Sequence, residues 1–244
     1  MKPYLNYSGV AVLAHRGGSI ESYENTIESF YYSQSLGCRF IETDVQVSSD
    51  GIPYIFHDET LTRLLGKNDL FSNLHSSEIE DLRIFESHKI PRLDETLHTF
   101  PEMYFQIDVK TDEVAMPALE VIYQCKAEDR VCIASFNSKR LNKVYKNCPE
   151  VCLSMGPIEV FKLLLASFNL YNKDIRGDCL QVPIYQYGFI KIVTQRFVKY
   201  VQSRGLKISV WTINDPKTLK KLIDMKVDGI ITDKPKLLMQ LLEN

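Results

Sequence analysis

Two carboxylates, Glu42 and Asp44, stand two residues apart in the run Phe40-Ile41-Glu42-Thr43-Asp44-Val45-Gln46-Val47. An extended chain points alternate side chains to the same face, and the apolar neighbours mark this strand as buried. Two like charges side by side in an apolar interior are costly unless something neutralises them. A divalent cation is the simplest answer. All the candidate ligands are oxygens without a His-Cys cluster beside them, which points to Mg²⁺ or Ca²⁺, with Mn²⁺ a further option, rather than zinc. The run Gln106-Ile107-Asp108-Val109-Lys110 repeats the alternation. There Asp108 would complete the metal site, and Lys110 would hold an anion beside it.

Three further segments carry reactive or shaping groups. Ala14-His15-Arg16-Gly17-Gly18 runs an apolar strand into a histidine, an arginine and two glycines; glycines let the backbone turn sharply, and the guanidinium fork suits phosphate. His57-Asp58 follows a short apolar strand. Histidine is the side chain best suited to proton transfer near neutral pH. A His-Asp pair alone is commonplace in loops, and its expected place beside Asp44 gives this one weight. Trp211, the only tryptophan, lies in Val210-Trp211-Thr212-Ile213-Asn214 and could wall a pocket or simply pack a core.

These segments sit at the ends of short β-branched or aromatic runs that alternate with helical patterns, the arrangement of βα units on a parallel sheet. Nine strands are expected: 10–14, 39–46, 53–57, 103–109, 131–135, 151–155, 180–184, 207–212 and 229–232. Helices are expected over 24–35, 116–126, 139–146, 158–168, 191–204, 216–226 and 236–242. The connection Ser48-Ser49-Asp50-Gly51 is too short for a parallel crossover, so the 53–57 strand folds back as a hairpin, and counting from the turn places His57 beside Asp44. Eight parallel strands then remain. With helices between them they predict a TIM (β/α)₈ barrel, whose active site lies at the C-terminal strand ends, although a doubly wound sheet would share the alternation. Residues 59–98 break the pattern and read as an insertion on the rim of a single domain spanning 1–244.

His15-Arg16-Gly17, Glu24-Asn25-Thr26, Glu42-x-Asp44, Phe56-His57-Asp58, Asp108-x-Lys110, Ser135-Phe136, Val210-Trp211-Thr212-Ile213-Asn214 and Gly229-Ile230-Ile231-Thr232-Asp233-Lys234-Pro235 occur in this order. From about residue 10 to residue 236 the chain thereby resembles the glycerophosphodiester phosphodiesterase family. The resemblance implies a TIM barrel with a subdomain inserted after the His57 strand, and divalent-metal-dependent hydrolysis of glycerophosphodiesters to sn-glycerol 3-phosphate and an alcohol. It also implies His15 and His57 as catalytic histidines, Glu42 and Asp44 as metal ligands, and Arg16 and Lys110 as phosphate contacts. Glu24 and Asn25 would orient the His15 loop, and Phe136 and Trp211 would shape the alcohol or glycerol side. The family usually carries Glu at the position of Asp108, whose side chain is shorter by about one C–C bond, near 1.5 Å, and often Pro at that of Tyr23.

Composition narrows the partners. The 244 residues carry 29 Lys+Arg against 31 Asp+Glu, a net charge of −2, which argues against nucleic acid or an anionic membrane as the target. A small-molecule substrate is expected. No apolar run reaches the roughly 18 residues of a spanning helix, and Met1–Tyr7 lacks the apolar region of a secretory signal, so a cytoplasmic protein is expected. The six scattered cysteines read as free core thiols. Two rival functions keep the same barrel: a lysophospholipase D-type enzyme, and a binding module that has lost its chemistry. The insertion residues Leu61, Leu64, Leu65, Leu70 and Phe71 could form an acyl mouth for the first, although packing of the insertion is the plainer expectation.

Overall fold

A computed structural model describes residues 1–186 and 188–243. Eight strands run parallel: β1 (Ala11–His15), β2 (Phe40–Val47), β4 (Tyr104–Val109), β5 (Val131–Ala134), β6 (Cys152–Leu153), β7 (Cys179–Pro183), β10 (Lys207–Trp211) and β11 (Gly229–Thr232). β3 (Pro53–Ile55) pairs antiparallel with β2, as the short connection requires. The parallel order is β6-β5-β4-β2-β1-β11-β10-β7, and a parallel bridge between Ser154 and Cys179 joins the two ends. This is a TIM barrel. The β6–β7 seam is its thinnest join, because β6 is only two residues long.

Helices α1 (Ile27–Ser35), α5 (Asp112–Gln124), α6 (Ser138–Asn147), α7 (Pro157–Ala166), α8 (Gln195–Ser203), α9 (Pro216–Asp224) and α10 (Pro235–Glu243) answer the seven helical patterns. Their starts follow cap chemistry: the side chains of Thr26, Thr111, Asn137, Thr194 and Asp215 each accept a backbone N–H in the first turn. Hence α1 begins at Ile27 rather than Glu24, and α8 at Gln195 rather than Lys191. The residues before α8 instead form a hairpin of β8 (Tyr185–Gln186) and β9 (Ile190–Lys191), which the sequence pattern did not announce.

The segment expected as one insertion over 59–98 divides in two. α2 (Thr62–Leu65) and α3 (Ser76–Asp81) gather around Tyr54, Phe56, Leu61, Phe71, Ile79 and Ile84 in a satellite core. α4 (Leu93–Thr99) belongs to the barrel, since Leu93 and Leu97 enter the core shared with α5 and β4. Leu61 and Phe71 are fully buried and Leu64 and Leu65 pack against them, so these four fill the insertion rather than open a mouth, while Leu70 stays exposed.

Candidate active site

Register brings the reactive residues into adjacent rows at the C-terminal strand ends. His15 pairs with Glu42 and Glu42 with Gln106 in one row, and Asp44 pairs with Asp108 two residues further along. Beyond His15 the chain turns at once, with Arg16 at φ 51° and Gly17 at φ 80°. A Cβ on Gly17 would collide with Ser29 of α1, so only glycine lets the turn sit this close to the helix. The turn carries Arg16 over the carboxylates. Its Nε lies 3.2 Å from Asp44 Oδ2, and its Nη1 donates to Glu24 Oε1 at 3.1 Å.

Lys110 Nζ stands between two carboxylates, 2.7 Å from Asp44 Oδ1 and 2.7 Å from Asp108 Oδ2. Asn25 Nδ2 donates to Asp44 Oδ2 at 3.1 Å while its own Oδ1 accepts from Thr43. Burial opposes ionisation of Asp44, but Lys110 and Arg16 beside it hold its carboxyl below the ordinary range. Glu42 behaves oppositely: burial, then the Asp44 charge, push it up to about 7. Burial likewise lifts Asp108 despite Lys110.

Each histidine has its own carboxylate. His15 Nδ1 lies 2.5 Å from Asp233 Oδ1, with Nε2 turned toward Glu42 at 3.7 Å. Burial alone would lower the His15 pKa, but the Glu42 charge and the Asp233 bond together raise it above the ordinary value. His57 Nδ1 lies 2.7 Å from Asp58 Oδ1. The hairpin register differs from expectation by one residue: Val47 faces Pro53, and the Phe56 N–H reaches the Asp44 carbonyl at 3.0 Å, so Phe56 opposes Asp44. Phe56 then turns into the satellite core, and His57 lines the same cavity as Asp44. Electrostatic contact between the two is kept.

The cavity, about 600 Å³, has two halves. One holds the charged groups. The other is apolar, walled by Phe136, Met155, Val160, Phe161, Leu164 and Trp211, with Phe136 set edge-on to Trp211 at 5.8 Å.

Oxygen donors suited to a hard cation are present and unpaired. Glu42 Oε2, Gln106 Oε1 and Asp108 Oδ1 are buried without a hydrogen-bond partner, a costly state that a divalent ion would relieve. Asp44 is engaged at both oxygens, and with Lys110 lodged between Asp44 and Asp108 the three carboxylates do not close on one point. Asp44 would therefore join the metal only if Lys110 or Arg16 yields a contact. No helix among the described residues is long and apolar enough to cross a membrane.

A profile of the family described as "Glycerophosphoryl diester phosphodiesterase family" matches residues 15–237. A Mycobacterium tuberculosis protein named "Probable glycerophosphodiester phosphodiesterase 2" is 30% identical over 98% of this chain and 93% of its own length. The chain belongs to the glycerophosphoryl diester phosphodiesterase family. Its chemistry is phosphodiester hydrolysis. A solved glycerophosphodiester phosphodiesterase from Thermotoga maritima superposes with a TM-score of 0.77 at 28% identity, covering 97% of this chain and 100% of that one. An Oleispira antarctica phosphodiesterase, solved in complex with the product sn-glycerol-3-phosphate, shares the fold with a TM-score of 0.81 at 24% identity, covering 97% of this chain and 98% of that one.

Sequence reasoning gave no role to two residues of this phosphodiesterase. Asp233 follows β11 and also accepts from Ser19 and, at 2.6 Å, from Asn214 Nδ2; although burial opposes it, the bonds from His15, Ser19 and Asn214 bring its carboxyl down to about 2. Its signal was available, as an acid directly after an apolar strand. Arg63 of α2 is the other. Its Nε donates to Asp58 Oδ2 at 2.7 Å, and its Nη2 and Nη1 donate to Glu24 at 2.6 and 3.0 Å. The insertion thus clips the His57 loop to the Arg16 loop through Asp58 and Glu24, a link no local pattern reveals.

Two predictions arise from these contacts. Arg63→Ala releases both loops and lowers kcat/KM about 10-fold, the usual scale for a supporting contact. Arg63→Lys should restore little, because a single ammonium cannot bridge both acids. A steady-state comparison checks this, and wild-type rates in Arg63→Ala would remove the clip from the account. The second concerns Glu42, whose raised pKa means the folded state binds a proton the unfolded chain has lost. Stability of the metal-free protein therefore falls as pH rises from 4.5 toward about 7. Urea titrations across that window should show the fall, and Glu42→Gln should flatten it.

Proposed function

We propose that this enzyme hydrolyses glycerophosphodiesters to sn-glycerol 3-phosphate and an alcohol, with His15 and His57 as its proton-transfer pair. One observation carries the reading: two histidines, each backed by a carboxylate through Nδ1, line one cavity with the cations Arg16 and Lys110. In the proposed mechanism Arg16 and Lys110 bind the phosphoryl oxygens and offset the charge that grows on them during displacement. His15, holding its proton more firmly than an ordinary histidine, donates to the departing alcohol. His57, fixed by Asp58, takes the proton from the attacking oxygen. Glu42, Asp108 and Gln106, with Asp44 if it is released, would hold Mg²⁺, Ca²⁺ or Mn²⁺. Such an ion, when bound, supplies Lewis-acid polarisation of the phosphoryl group. The substrate is a small molecule, bound without nucleic acid or membrane insertion, and the cytoplasm is the compartment expected for it. Product analysis with glycerophosphocholine tests the cut: glycerol 3-phosphate plus choline supports it, and phosphocholine plus glycerol contradicts it.

The apolar half of the cavity favours a second, narrower reading, lysophospholipase D-type activity. Phe136 and Phe161 are 68% and 60% exposed on its wall, and Phe189 at the tip of the β8–β9 hairpin is 77% exposed. An acyl chain would cover such surface. On this reading Phe161→Ser lowers turnover of lysophosphatidylcholine while leaving that of glycerophosphocholine unchanged.

A further inference from the structure

Beside the active-site row, where Cys132 is the register partner of Gln106, the barrel interior holds three cysteines that the mechanism does not use. Cys132 on β5 and Cys152 on β6 are direct partners in register, and Cys179 on β7 is bridged to Ser154 across the closing seam. Their sulfur atoms all lie within 4.8 Å of one another, with Cys132 and Cys179 3.7 Å apart. All three side chains are buried, and none is in a disulfide. The N-terminal segment covers this end of the barrel and places Tyr4 in the same cluster. The Tyr4 hydroxyl is buried without a hydrogen-bond partner, and burial, above all else, pushes its pKa up. Three thiols and one orphaned hydroxyl in an otherwise apolar layer are more polar sulfur and oxygen than packing needs.

We propose that Cys132, Cys152 and Cys179 form a trigonal site for a soft, thiophilic metal ion, with copper(I) the best-fitting charge. The spacing agrees: metal–sulfur bonds of about 2.3 Å in a plane set the sulfurs about 4 Å apart. Soft thiolates select soft ions, and zinc would want a fourth strong ligand that the layer lacks. Charge decides between valences. Hydrogen bonds from Cys132 and Cys152 draw the Cys179 thiol down to about 5, whereas burial holds the other two well above the ordinary thiol range. A monovalent ion on one thiolate and two thiols adds no net charge to the interior, while a divalent ion needs a second thiolate. Binding forms three sulfur–metal bonds, with the Cys179 thiolate balancing the charge of the ion, so that no proton leaves and no electron is transferred. The ion would pin β5, β6 and β7 together where a two-residue strand and a single bridge otherwise close the barrel.

The test offers copper(I), held by a colorimetric chelator, to the reduced full-length chain. One equivalent withdrawn per chain, with a sulfur-to-copper charge-transfer band and a higher Tm, is the expected result. Cys132→Ala and Cys179→Ala, each checked for folding by circular dichroism, should withdraw none. Combined replacement of Cys38, Cys125 and Cys148 by Ala should leave the withdrawal intact, and this variant decides alone if the cluster variants do not fold. Copper left with the chelator by the wild-type chain, or withdrawal lost in the combined variant or kept in a folded cluster variant, overturns the site.

Discussion

His15→Ala is expected to lower kcat/KM on glycerophosphocholine about 10³-fold while the protein stays folded, within the usual range for losing a general acid. The residue ends a barrel strand and lines the cavity, with its Nε2 turned toward Glu42. Asp233 acts through it. Its bond to Nδ1 fixes the tautomer that leaves Nε2 for substrate and helps raise the histidine pKa. Asp233→Asn should therefore cost about 10- to 100-fold and move the limb of the pH–rate profile that belongs to His15 toward acid. A merely structural Asp233 would lower the rate at every pH and leave that limb where it was. Circular dichroism and the two profiles, measured side by side, separate these outcomes.

Lys110→Met is expected to destabilise the metal-free protein by about 3 to 5 kcal/mol, the scale for removing one partner of a buried ion pair. Lys110 Nζ lies at 2.7 Å from both Asp44 and Asp108, and both carboxylates are nearly inaccessible. Without the ammonium the two acids face each other in register, and the cheapest response is to keep one protonated. Their pKa values then rise, so the deficit should shrink as pH falls through the carboxylate range. Asp108→Asn in the Lys110→Met background should recover part of the loss. Urea unfolding of the wild type, Lys110→Met and the double variant at pH 7 and pH 5 reads all of this. A deficit below about 1 kcal/mol, unchanged by pH, would mean that solvent rather than Lys110 neutralises the pair.

Much of the barrel was legible because hydrophobic period and turn chemistry agreed. Asp50-Gly51 announced the hairpin, and with its fold-back strand set aside the remaining runs counted out to eight parallel strands. Legibility failed where tertiary contacts overrode local pattern. Closing the hairpin with Val47 opposite Pro53 shifted the ladder by one residue, and His57 reached the cavity only because Phe56 is drawn into the satellite core. α4 was absorbed into the insertion because its short apolar stripe, Leu93 and Leu97, gains meaning only against α5. The β8–β9 hairpin has two-residue strands, too brief for any period to show. Of the site, the groups expected to act on substrate or metal came together in one cavity, and Glu24 and Asn25, expected to orient the His15 loop, bond to Arg16 and Asp44. What sequence could not convey was how the charges pair: Lys110 sits between Asp44 and Asp108, while one oxygen each of Glu42, Gln106 and Asp108 has no hydrogen-bond partner.

Those unpaired oxygens make the central claim directly measurable. The metal-stripped enzyme is incubated with glycerophosphocholine, and glycerol 3-phosphate is followed as Mg²⁺, Ca²⁺ or Mn²⁺ is added in turn. Release that begins only with one of these ions, and that Glu42→Gln abolishes in a folded protein, is the predicted result. Full release in the stripped enzyme, or none with any ion, would contradict it.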